Sequence, residues 1–417
     1  MSLNTSTAER EMSKKEVTYR DIQHLAPFKD VRDNLSTSIA SNAHLVKLNA
    51  GSTEIPRDGK VYFLAAGILQ FSVPGVQQRS ISAKDPAATI PLPQDPKWHV
   101  KSPSGALLIQ VPKRYLDLGE DHLHQESAES SDLTGCSIAG ELYLQFFETL
   151  KKGKVDLPGL PDTMIKIGDA IDSDSTSNND IANLIQTDPA LTARLISIVN
   201  SAAYGRSVKI NSLSQAIGTL GRKRVRNLVF SSIVKNLFVS KSPFLKQHLT
   251  DLWQRSCKIA AISFVLADIT PGLDPDRAML CALMHDIGVI PIVTAANKQP
   301  DLKDDAEKFN LLLNEMKGEI GALTLRSWGL DSEIAEVASN ANNWWRLGTA
   351  LADYLDVILI ARLHAAASDG VQGDYPILDS IPAFQKLALG KLTPHKSIAV
   401  LEDARQKIEE LESLLIG

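Results

Sequence analysis

The sequence predicts an α+β chain of two domains: a small antiparallel β-barrel of jelly-roll type, then an all-α domain. Three observations lead there. From about Leu25 to Pro112 the apolar runs are short and strand-like (HLVKLNAG, KVYFLAAG, ILQFSV, ALLIQV), broken by Gly51, Gly67, Gly75 and Gly105. From Ser137 onward apolar residues recur at helical spacing and no alternating pattern returns. A chain of 417 residues also exceeds what one core ordinarily serves.

In order along the chain, residues 1–20 are mostly polar and are expected to be mobile. Residues 21–118 form the β domain. Residues 119–136 are acidic and serine-rich and read as a linker, with His122 and His124 as solvated linker residues rather than a metal pair. Residues 137–390 form the helical domain, and 391–417 a C-terminal helix. Within the helical domain ELYLQFFETLKKGK is amphipathic and ends in lysines. Asp180 is expected to cap a helix, and Asp188-Pro189 to start the next. That next helix places Leu191, Leu195, Ile198, Val199 and Ala202 on one face and stops at Gly205. Further helices are expected around 213–219, 222–239, 249–269, 276–288, 304–327, 331–343, 351–368 and 397–415. In the last of these Leu401, Ala404, Ile408, Leu411 and Leu415 recur at heptad spacing. So short a repeat should dock on its own domain, with a homodimer seam as the alternative.

The net charge of −5 disfavours bulk nucleic-acid binding, which needs a basic surface. Three cysteines, Cys136, Cys257 and Cys281, suit a reducing compartment better than a disulfide framework. The N-terminus lacks the apolar stretch of a secretory signal, and runs such as Ala260 to Ala267 are too short for a bilayer. A cytoplasmic protein without membrane insertion is expected.

Two local patterns carry chemistry. His285-Asp286-Ile287-Gly288 sits in an apolar helical stretch and offers an imidazole and a carboxylate, two ligands of a divalent metal. Arg222, Lys223, Arg224 and Arg226 open a helix, where cations oppose the helix dipole and an anion would relieve them. They are a candidate nucleotide contact, with a solvated basic face as the alternative. Asn200-Ser201 should fix a helix exit through side-chain to backbone bonds. His364 lies among alanines as a core histidine, and Trp344-Trp345 could stack a base but more often such pairs are core.

The segments LPGLPDTMIKI (157–167), DIANLIQTDPALTARLISIVNSAAYG (180–205), INSLSQAIGTLG (210–221), LWQRSCKIA (252–260), CALMHDIGVI (281–290) and RSWGLDSEIAEVA (326–338) together resemble an HDOD domain, the HD-related output domain of bacterial signalling proteins. The resemblance covers about 155–368. It implies a helical bundle of the HD superfamily and regulation rather than catalysis, with regulatory protein partners and a cyclic dinucleotide as a candidate ligand. Residues 47–73, KLNAGSTEIPRDGKVYFLAAGILQFSV, resemble a cyclic-nucleotide-binding barrel. The stretch 75–98 lacks the Gly-Glu pair and the Arg-x-Ala of that family.

The HD superfamily completes its metal site with a histidine about thirty residues upstream and an aspartate on a later helix. At the matching positions this chain has Arg255 and Arg362, with Asn342 and Asn343 where a further histidine pair would stand. Arginine cannot ligate a metal. The resemblance therefore implies a vestigial site with no metal and no cofactor, in which Arg255 or Arg362 pairs with Asp286. The alternatives are a metal-dependent phosphohydrolase using His285 and Asp286, or a zinc site from Cys257, Cys281 and His285.

Overall fold

The computed structural model describes residues 16–116 and 161–416, apart from 30, 32, 57, 74–77, 114, 206–207, 240–242, 297–305, 371–374 and 388–393. The expected linker 119–136, with His122, His124 and Cys136, and the amphipathic stretch 141–154 lie outside these residues. So do the first fifteen residues of the segment expected to be mobile.

Two short helices, α1 (Tyr19–Gln23) and α2 (Asp33–Asn42), precede the sheet. A capping box starts α1: the Thr18 amide donates to the Asp21 carboxylate at 2.7 Å. Six strands follow: β1 (His44–Leu48), β2 (Gly51–Thr53), β3 (Lys60–Ser72), β4 (Arg79–Ser82), β5 (His99–Ser102) and β6 (Ala106–Pro112). All pairings are antiparallel, in the order β1-β6-β3-β5-β2, with β4 also on β3.

The sheet is open, which corrects the expected barrel: among the described residues β1 and β2 do not pair with each other. The cause lies in β3. Its first half pairs with β6 and its second half with β4 and β5, and a bulge between Leu64 and Ala66 separates the halves. Before the bulge Tyr62 and Leu64 face one core while Val61 and Phe63 face the other. After it, Leu69 and Phe71 face the core of Tyr62, so the extra residue has reversed the odd-even alternation. Gly67, at φ +93°, completes the bend; a Cβ there would stand 2.5 Å from the Gly105 carbonyl oxygen.

One face of the sheet is covered by Ile22 of α1, Ile39 of α2 and Phe28 of the turn between them. The other face takes two residues of the helical domain, Ala350 and Leu351, into its core. The Ala350 amide donates to the Pro91 carbonyl at 2.7 Å. Arg79 of β4, 7% exposed, lies over the Trp98 ring and donates to the Ala352 carbonyl at 2.7 Å. Arg79→Ala leaves that buried carbonyl without its donor, at a cost of about 1–3 kcal/mol. Thermal unfolding should register the loss, and proteolysis should quicken near 349–353. An unchanged melting curve would show that Arg79 does not tie the domains.

The helical domain begins with α3 (Asp162–Asp172), α4 (Asn178–Gln186) and α5 (Pro189–Val199). Ser177, not Asp180, caps α4; Asp180 occupies the third position and closes a capping box. Asp188 caps α5 by accepting from the Leu191 amide at 3.0 Å, with Pro189 in the first turn. Asn200 holds the exit of α5, accepting from the Ile210 amide and donating to the Ile196 and Ile210 carbonyls. Gly205 ends this stretch in the left-handed conformation.

Next come α6 (Leu213–Leu220), α7 (Arg222–Val234), α8 (Pro243–Asp268), α9 (Pro275–Met284), α10 (Val289–Ala296), α11 (Ala306–Ser327), α12 (Ser332–Asn340), α13 (Tyr354–Ser368) and α14 (Pro382–Lys386). The domain is built around α8, which packs against α9 and α13. Residues 275–296 are apolar and long enough to cross a membrane, but most of them are buried in this core. The single helix expected over 397–415 is two, α15 (Pro394–Asp403) and α16 (Arg405–Ile416), broken at Ala404. α16 docks on its own domain: Leu411 and Leu415 are buried, and Lys235 Nζ donates to the Ile416 carbonyl at 2.7 Å.

A buried ionic cluster lies beneath the contact between the domains. Lys386 Nζ stands 2.6 Å from Asp356 Oδ1, both side chains are 0% exposed, and Lys386 also donates to the Leu347 carbonyl. Arg346 reaches Asp353 at 2.7 Å and Asp356 at 3.6 Å. Burial and the neighbouring Asp353 push the Asp356 carboxyl up to about 7.

Candidate functional site

His285 and Asp286 are not inside a helix, as their apolar surroundings suggested. α9 ends at Met284, and 285–288 form a turn into α10. Gly288 makes this turn possible: a Cβ there would collide with the Lys317 carbonyl and stand 2.5 Å from the Gly321 amide nitrogen. Gly318 lets α11 approach α12 equally closely, with a would-be Cβ 2.7 Å from the Ser339 carbonyl. The turn is thus pressed onto α11 beside Lys317.

That contact decides the electrostatics of the site. Lys317 Nζ lies 2.9 Å from Asp286 Oδ1. The ion pair expected from Arg255 or Arg362 is therefore made by Lys317, a residue the sequence reading missed. The available signal was Gly318 and Gly321, three apart in a helical pattern, which marks a face built for close backbone packing. His285, 2% exposed, donates from Nδ1 to the Ala282 carbonyl at 2.6 Å and sets Nε2 3.4 Å from Asp286 Oδ2. Burial alone would raise the Asp286 pKa; His285 and Lys317, with Arg362 behind them, outweigh it and hold the carboxyl well below its usual range.

The pair opens into a cavity of about 610 Å³. Arg255 of α8 and Arg362 of α13 line it, as do Asn342 and Trp344 from the turn after α12. Arg362 donates to the Ala341 carbonyl and, at 3.1 Å, to Asn342 Oδ1, and its guanidinium lies 4.7 Å from the centre of the Trp344 ring. Arg255 is exposed at the cavity wall. So the structure brings His285, Asp286, Arg255, Arg362 and Asn342 together and leaves Asn343 off the wall.

A divalent cation does not fit this donor set. Among the described residues no group of three His, Cys, Asp or Glu side chains could hold one. Lys317 sets an ammonium against Asp286 Oδ1, and two guanidinium groups line the same cavity. Cys257 and Cys281 are fully buried, do not line the cavity, and have thiols that burial pushes up, Cys281 to about 12.

The basic run at the start of α7 does not line this cavity, and its arginines already have partners. Arg222 donates to Asn178 and to the Ser173 and Thr176 carbonyls, tying α7 to the loop before α4. Arg224 pairs with the buried Asp276, which also accepts from Tyr204, and Arg226 pairs with Asp172 at 3.1 Å. Lys223 points to solvent. His364 is half-buried, and burial lowers its pKa to about 4, so the ring is neutral at physiological pH.

The helical fold and the turn at His285–Asp286 agree with one further finding: the HDOD domain family matches residues 157–344. The chain carries an HDOD domain. A curated relative, an uncharacterized protein of Treponema pallidum (strain Nichols), is 25% identical over 249 residues, which cover 55% of this chain and 47% of the relative. The chain thus spans about half the length of that relative. Among solved structures, a Shewanella amazonensis SB2B protein provisionally named a metal-dependent phosphohydrolase matches with a TM-score of 0.57 at 24% identity. It covers 67% of this chain and 99% of its own. An HDOD domain protein of unknown function from Geobacter sulfurreducens matches with a TM-score of 0.48 at 20% identity, over 67% of this chain and 96% of its own. The Shewanella likeness is one of fold. The family match begins at residue 157, so the likeness of 47–73 to a cyclic-nucleotide-binding barrel rests on the sequence alone.

Proposed function

We propose that this chain is a non-catalytic regulatory protein of bacterial signal transduction, acting in the cytoplasm through partner proteins and a small ligand. One observation supports the reading: the Lys317 ammonium, 2.9 Å from Asp286 Oδ1, already neutralises the carboxylate that a divalent ion would need. A metal-bound water supplies the nucleophile in such hydrolysis, and a fixed ammonium cannot supply one. The HDOD domain then serves as a scaffold whose signal is a change of contact with the β domain, through the Arg79–Ala352 tie and the 349–353 segment.

The second reading is phosphohydrolysis at His285 and Asp286, which the name of the Shewanella relative favours. Metal analysis and activity assays separate the two. Purified full-length chain should hold well under one equivalent of manganese, iron or zinc. With manganese added, it should leave nucleotide and phosphodiester substrates intact. A hydrolysis rate that disappears in His285→Ala would overturn the regulatory reading.

A further inference from the structure

We infer that the cavity beside His285–Asp286 is a binding site for a phosphate-bearing small molecule, gripped by Arg255, Lys317 and Arg362 where a metal ion would otherwise be. The inference rests on the regulatory reading above and names the ligand class of that same site.

The charge inventory points this way. Three cations, Arg255, Lys317 and Arg362, line the cavity. Two carboxylates do so, and both are engaged: Asp286 faces Lys317, and Asp369 pairs with Lys258. Among the described residues that leaves two guanidinium charges without a carboxylate of their own. Arg362 feels the imbalance. Burial pulls its pKa down, Asp286 and Tyr375 only partly offset this, and Arg255 adds repulsion. An anion between the two guanidinium groups would relieve both, and guanidinium matches phosphate oxygens with paired N–H donors.

A neutral group supports the same reading independently. Ser256 lines the cavity, is 1% exposed, and its Oγ has no hydrogen-bond partner among the described residues. A buried hydroxyl without a partner is costly, and a phosphate oxygen would accept its proton. The remaining wall suits a ligand larger than an ion. Trp344 and Tyr375 meet edge to face at 5.9 Å, Asn310 and Asn314 add amides, and the volume is that of a small-ligand pocket. Trp344 and Tyr375 could take a base against their rings. In the run at Arg222 to Arg226, by contrast, Arg224 and Arg226 have carboxylates of their own in Asp276 and Asp172.

Calorimetric titration of the full-length chain at low ionic strength tests this, with inorganic phosphate, GMP and cyclic di-GMP as separate probes. Saturable binding that weakens with added salt is expected for at least one. Phosphate alone would assign a free anion, and the nucleotides a base-bearing ligand competing with phosphate for the same residues. Arg255→Gln should raise the Kd about tenfold. Arg255 is exposed, so this variant should melt with the wild type; if it does not, Ser256→Ala takes its place, with a several-fold rise expected. Arg226→Gln should leave the Kd unchanged. Failure of all three probes to bind, or equal affinity in Arg255→Gln, overturns the inference. The regulatory reading fails separately, if the wild-type chain hydrolyses a probe once manganese is added.

Discussion

Replacing Lys386 by Met should destabilise the chain by about 3–5 kcal/mol, because it strands the fully buried Asp356 carboxylate. Arg346, 3.6 Å away and shared with Asp353 and Glu336, cannot compensate. The double variant Lys386→Met/Asp356→Leu should recover most of the loss, since a buried ion pair replaced by apolar side chains of similar volume is often neutral or better. A double-mutant cycle by chemical denaturation gives the coupling. Two independent, additive losses would show that the pair is not a unit.

The pH dependence of the single variant follows from the Asp356 carboxyl, which the fold raises to about 7 from an unfolded value of 3.8. The folded state then binds the proton more tightly than the unfolded state between those values, so this group's contribution is fully present below 3.8 and is lost as pH rises through the folded value. Without the ammonium the folded value climbs further. The deficit of Lys386→Met against wild type should therefore shrink as pH falls from about 8 toward 5. A deficit that is constant over this range would mean that Asp356 is not ionised in the folded chain.

Gly288→Ala should cost more than about 3 kcal/mol, beyond the usual range for overpacking. The new methyl would meet backbone, the Lys317 carbonyl and the Gly321 amide, and no side chain can swing aside. For a domain of this size that corresponds to a fall in Tm of roughly 6–12 °C. The Lys317–Asp286 pair should open with it, because the glycine presses the turn onto α11. Gly218→Ala is the matched control. It lies within α6 with nothing within 4 Å of its would-be Cβ, so it should stabilise by about 0.4–1 kcal/mol. Equal melting of both variants would refute the close-packing account of the turn.

Several patterns in the chain read correctly because their physics is local. The Asp188-Pro189 start of α5, the Asn200 exit bonds and the docking of Leu411 and Leu415 follow from capping and period, and the structure contains all three. The open sheet was less legible. The bulge of β3 is one extra residue whose effect, a reversal of the faces, appears only when β6 is paired against it. The break at Ala404 likewise interrupts an otherwise continuous helical spacing.

The adjacent His285 and Asp286, the two arginines expected beside them, and the two-domain α+β layout were legible in the sequence itself. They depend on residue type and order, and both arginines do reach the cavity wall. Which cation neutralises Asp286 was decided by tertiary structure alone. Lys317 is 31 positions away by numbering, on another helix, and only the backbone contact of Gly288 with Gly321 brings it within 2.9 Å. The same holds for Arg222, Arg224 and Arg226: a basic run looks free in one dimension, and is used up once the loop at 173–178, Asp276 and Asp172 fold around it. Charge pairing acts over a few ångströms in space, whatever the separation along the chain.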